Sequence, residues 1–164
     1  MLKVGVRLSL VVAVLSWTLI SGCKGGGGSG GSMPGTAAPA MKSLYERLGG
    51  AGAIQKVVDE FVGNAAADPK VDFTRGGKWQ ATDENVSRLK KHLSDFIGTV
   101  TGGPEKYVGR DMKTAHKGMG ITKEQFEAIA GHLKNALAKF NVNPTDASEL
   151  LAKVGGTMAD IVGQ

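Results

Sequence analysis

The 164 residues contain one cysteine, Cys23, and only three histidines. A lone cysteine excludes an intrachain disulfide and a thiolate-rich zinc centre, and His92, His116 and His132 show no HExxH or similar paired ligand spacing. Aromatic residues make up 5% of the chain, and none interleave with a basic cluster, so the pattern of a nucleic-acid surface is missing. The net charge of +5 does not restore it, because Lys3, Arg7, Lys24 and Lys42 all precede residue 43 whereas every acidic residue follows it. Segment 43–164 holds sixteen basic residues against fifteen acidic ones and is nearly neutral. The most apolar run, Leu8 to Ile20, is shorter than the roughly 20 residues a spanning helix needs. No Ser-His-Asp arrangement is signalled either, although folding can assemble one from distant residues.

What is present begins with a targeting pattern. Lys3 and Arg7 form a basic start, the apolar run follows, and Ser21 and Gly22 supply small residues for a peptidase. Ile20-Ser21-Gly22-Cys23 resembles the lipobox of bacterial lipoproteins. That resemblance implies a signal peptide over 1–22, acylation of Cys23, and an exported protein anchored to a bacterial membrane, facing the periplasm or the exterior. Several acyl chains at about 0.8 kcal/mol per buried CH₂ anchor stably where a single chain is marginal. An ordinary secretory signal with a chance cysteine is the plainer alternative. Residues 24–41, KGGGGSGGSMPGTAAPAM, have no apolar periodicity and read with Cys23 as a Gly-rich tether over 23–42.

Residues 43–164, about 120 residues, suffice for one modest core. Ile54, Val57, Val58, Phe61 and Ala65 recur at helical spacing up to Asp68-Pro69. PKVDFTRGGKWQATDE has no sustained period and reads as a loop, ordered around Phe73 and Trp79. A second long helix is expected from about Asp83 to Val100, with Val86, Leu89, Leu93, Phe96, Ile97 and Val100 inward, ended by Thr101-Gly102-Gly103-Pro104. A short helix from Arg110 to Lys117 puts Met112 and His116 on one face. Thr122 with Gln125 forms a capping box for a helix whose inner face is Phe126, Ile129, Ala130, Leu133, Leu137 and Phe140. Asp146 with Glu149 reads as a second capping box, opening a final helix with Leu150, Leu151, Val154, Met158, Ile161 and Val162 inward and a bend at Gly155-Gly156. The expected fold is all-α with about five helices.

Among the histidines, His132 sits at the edge of its helix's apolar face and reads as a boundary residue. His92 borders the inward stripe and can meet either a pocket or water. His116 closes a short helix before Gly118 and Gly120 let the chain turn. Haem asks little of such a chain, one axial histidine or two and an apolar box, and Phe61, Phe96, Met112, Phe126, Ile129 and Leu133 are available for it. Each of those residues also serves as ordinary core, and periodicity does not separate the two.

SLYERLGG, AIQKVVDEF, RLKKHLSDF, TGGPEKYVGRDMKTAHKGMGIT and FEAIAGHLKNAL together resemble the group 1 truncated haemoglobins, from residue 43 to the C-terminus. The resemblance implies a two-over-two helical sandwich binding haem b, with His116 as the proximal iron ligand. It implies haem-lining roles for Phe61, Leu89, Phe96, Tyr107, Met112, Phe126 and Ile129. Two positions depart from the family pattern: Val62 stands where a tyrosine commonly donates to bound O₂, and Leu93 where a glutamine does. Some relatives carry a histidine matching His92, where it can ligate iron on the distal side. The stretch TRGGKWQATDE also departs from common members. Arg110 and Lys113 are candidates to pair with haem propionates, with solvated surface charge as the plain alternative. Reversible O₂ binding is the implied function, with NO or CO as other ligands. NO dioxygenation or peroxide chemistry with an external reductase, and bis-histidyl electron transfer or gas sensing through His116 and His92, are the competing classes. Cys23→Ser is expected to release the mature protein from membranes on fractionation, and unchanged retention counts against acylation.

Overall fold

The computed structural model describes residues 41–164. The expected signal peptide, the Cys23 anchor and the tether up to residue 40 lie outside the described residues. Seven helices are assigned: α1 Leu44–Arg47, α2 Gly50–Ala67, α3 Asp83–Thr101, α4 Met112–His116, α5 Lys123–Lys139, α6 Pro144–Gly155 and α7 Met158–Ile161. Among the described residues there is no strand, and no helix is long and apolar enough to cross a membrane.

The helix ends follow local chemistry. Ser43 and Glu46 close a capping box on α1, and Thr122 and Gln125 close the one expected on α5. Thr82 caps α3 by accepting from the Asn85 N–H at 3.3 Å. At the other end of α3, Gly102 takes φ +85°, a left-handed conformation open to glycine at little cost.

Three expectations need correction. Asp146 and Glu149 do not cap the last long helix: Asn143 does, accepting from the Thr145 N–H at 2.9 Å, and Pro144 occupies the first turn. The two acids instead hold Arg47 of α1, whose Nε lies 2.7 Å from Asp146 Oδ1 while a terminal guanidinium nitrogen meets Glu149. The final helix is not one helix, since α6 ends at Gly155 and α7 starts at Met158. Phe140 is not inward: it lies at the C-cap of α5 and is 40% exposed, because the chain leaves helical geometry there and Asn141 turns with φ +55°. Ala136 takes the buried position instead, with no exposed surface.

The main core joins α2, α5 and α6 through Val58, Leu137 and Leu150, the largest fully buried side chains. A smaller cluster of Ile121, Phe126 and Ile161 gathers Met112, Met158 and Val162. The 68–82 segment is irregular as expected, and Phe73 and Trp79 meet edge to face at 5.4 Å. His132 Nε2 lies 2.7 Å from Asp68 Oδ2, tying α5 to the end of α2. The Lys70 backbone N–H, and then His132, hold the Asp68 carboxyl below its ordinary range. Such a carboxylate stabilises the fold above its unfolded pKa, and that contribution disappears as pH falls through the lower folded value. Urea titrations should therefore show Asp68→Ala less stable than wild type at neutral pH, with the difference shrinking on acidification below the ordinary aspartate range.

Candidate functional site

Helix α3 buries Asp95, Ile97, Gly98 and Thr101. Of the stripe expected to face inward, only Ile97 is buried: Val86, Leu89, Leu93, Phe96 and Val100 are half-buried. An apolar stripe left partly uncovered is a candidate surface for an apolar ligand.

His92 lies among these residues, and the loop after α3 brings Tyr107 to it. The Tyr107 ring stands edge to face with His92 at 6.1 Å and with Phe96 at 5.6 Å. Its backbone N–H donates to Thr99 Oγ1 at 2.9 Å, and its hydroxyl donates to the Arg110 carbonyl at 2.7 Å. Burial pushes the Tyr107 phenol above its ordinary range, so it remains a neutral donor at physiological pH. Gly109 makes room for the ring, because a Cβ there would run into it. His92 Nδ1 is buried without a hydrogen-bond partner.

A second histidine, His116, is set by α4. Asp111 caps this helix by accepting from the Thr114 N–H at 2.9 Å, and that bond holds the Asp111 carboxyl below its usual range. The helix buries none of its own residues and leans on α7. The C-terminal tail secures the turn that follows: the Gly120 N–H donates to the Gln164 carbonyl at 2.7 Å and the Gly163 N–H to the Ile121 carbonyl at 2.9 Å. His116, the last residue of α4, has Nδ1 2.7 Å from the Met112 carbonyl. A carbonyl only accepts, so Nδ1 carries the proton and the neutral ring presents its lone pair at Nε2. That is the arrangement of a metal-ligating histidine.

The remaining candidates come from elements around these two. Phe61 and Val62 of α2 are 8% and 2% exposed within the main core, against which Leu93 and Ile129 pack. Phe126 and Met112 belong to the smaller cluster. Leu89 is half-buried on α3 and enters neither cluster. His132 is engaged with Asp68, in keeping with a boundary residue.

Sequence reasoning missed a brace behind Tyr107. The Tyr45 hydroxyl donates to Glu105 Oε1 at 2.5 Å across 60 positions of sequence, and that bond raises the Tyr45 pKa. Added Cβ atoms at Gly98 or Gly103 would strike Glu105, and at Gly103 also Tyr45. Only the glycine pair at 102–103 hinted at it. A cavity of about 190 Å³ beside Glu105, reaching Gln55 and Asp95, includes none of the haem-site candidates.

Comparison with known proteins places this geometry. The bacterial-like globin family model matches residues 43–162. A group 1 truncated haemoglobin of Mycolicibacterium paratuberculosis is 36% identical over 119 residues, covering 73% of this chain and 83% of that protein. The chain belongs to the group 1 truncated haemoglobins. The ferric truncated haemoglobin of Tetrahymena pyriformis superposes with a TM-score of 0.67 at 30% identity, covering 75% of this chain and all of the relative. The two-over-two haemoglobin of a Synechococcus species, described with covalently attached haem, gives 0.64 at 32% identity over 75% of this chain and all of that one. The all-α two-over-two fold expected from the resemblance is thus the observed one. In this truncated haemoglobin, Gly109→Ala should displace the Tyr107 ring at an overpacking cost of about 1–3 kcal/mol. Faster haem transfer to an acceptor apoglobin is the expected readout.

Proposed function

We propose that this truncated haemoglobin binds O₂ reversibly at a haem b held by Nε2 of His116, and that lipid on Cys23 tethers it to a bacterial membrane. The observation that carries the haem reading is the bond from His116 Nδ1 to the Met112 carbonyl, which leaves a fixed lone pair at Nε2. The half-buried stripe of Leu89, Leu93 and Phe96 fits a flat apolar cofactor, and family membership makes that cofactor haem. The lipid anchor rests on the sequence Ile20-Ser21-Gly22-Cys23.

When bound, haem would supply an iron able to take up a diatomic ligand. The chain's own part is to hold and enclose. His116 would hold the iron through Nε2, its ring oriented by Met112, while α4 is kept in place by the Asp111 cap and by α7. Phe61, Phe96 and Ile129 present hydrocarbon that excludes water. Val62 and Leu93 offer no hydrogen-bond donor, so stabilisation of a polarised ligand falls to other groups on that side. NO and CO, also diatomic and less dependent on such a donor, are the other gas ligands this chemistry would take.

The mature domain should develop a Soret band with one equivalent of haem, and His116→Ala should abolish or severely weaken proximal ligation. Stoichiometric incorporation with unchanged proximal-ligand spectra in that variant would overturn the assignment.

A further inference from the structure

We infer that His92 acts in the distal space as a hydrogen-bond donor through Nε2–H and not as a standing sixth ligand to iron. The inference rests on the haem reading above and concerns where this ring carries its proton.

The two histidines differ in one respect. A histidine that ligates metal through one ring nitrogen almost always donates the N–H of the other to a carbonyl, carboxylate or water, which fixes its tautomer and orientation. His116 has that partner in the Met112 carbonyl. His92 has none: its Nδ1 is enclosed and makes no hydrogen bond. For Nε2 to offer a lone pair to iron, the proton must sit on Nδ1, as a buried N–H without an acceptor. Orphaned N–H groups of that kind are rarer in folded proteins than bare acceptors. The ring of Tyr107 stands edge to face at 6.1 Å, and a contact of that type is at most a second-order substitute for an acceptor. The favoured neutral form therefore places the proton on Nε2, the one ring nitrogen left to meet a ligand.

The neighbours leave this role to His92. Val62 and Leu93 have no donor, and the Tyr107 hydroxyl already donates to the Arg110 carbonyl. Among the candidate haem-lining side chains, the His92 N–H is the donor that remains. The aromatic pair of Tyr107 and Phe96 limits how far the imidazole can swing.

The test uses the haem-loaded protein. In the ferrous CO form, ¹⁵N shifts of the histidine rings should show His92 protonated at Nε2 and bare at Nδ1. Ferric and ligand-free ferrous absorption spectra should lack the low-spin bands of bis-histidyl coordination. O₂ dissociation should accelerate roughly tenfold to a hundredfold in His92→Ala, the loss of one charge-assisted hydrogen bond. His92→Gln, which restores an N–H donor, should recover much of that loss. A low-spin ferric spectrum that His92→Ala abolishes, a proton on Nδ1, or O₂ dissociation unchanged in both variants would each overturn the inference while leaving His116 and haem binding intact. A protein that takes up no haem would instead overturn the reading on which the inference rests.

Discussion

A helical domain of this size can cover only so much apolar surface, and this one leaves the stripe on α3 half-covered. Everything else compensates for that constraint. The largest fully buried side chains, Val58, Leu137 and Leu150, come from α2, α5 and α6; of the stripe only Ile97 is buried in that core, while Val86 and Leu93 pack against its edge. What α3 buries sits toward its C-terminal end, in Asp95, Ile97, Gly98 and Thr101. The helix is held by its C-terminal end and by its packing on α2, and Leu89 and Phe96 of its middle join neither buried cluster.

The two sides of the site are held by different physics. Around His116 the determinants are hydrogen bonds to backbone: Asp111 caps α4, the C-terminal tail pins the turn after it, and Met112 orients the ring. A short helix with no buried residue has little hydrophobic restraint, so directional bonds set its position. Around His92 the determinants are shape and ring contacts. Tyr107 packs on His92 and Phe96, and the bond between Tyr45 and Glu105 braces the loop that carries it.

Much of this was legible in the chain. The extents of α2, α3 and α5, the glycine stop at Gly102 and the Thr122–Gln125 box are local properties, and each appeared where the pattern put it. The candidate at His116 was legible for a related reason: a histidine one turn after Met112, before flexible glycines, is a local motif. Less visible were pairs distant in sequence. Asp146 and Glu149 have the spacing of a capping box, yet Arg47, about 100 positions away, takes both carboxylates and leaves the cap to Asn143. Phe140 fits the periodic face of α5 but falls at the residue where the helix stops.

The sequence by itself determined the long helices α2, α3 and α5, the family and the histidine that closes α4, because helical periodicity, caps and turn glycines act within a few residues of one another. Only the tertiary structure decided which apolar face stays uncovered and which nitrogen of each imidazole is free. Those outcomes depend on what lies opposite a side chain. For His116 it is a carbonyl, and for His92 an enclosed space with no acceptor.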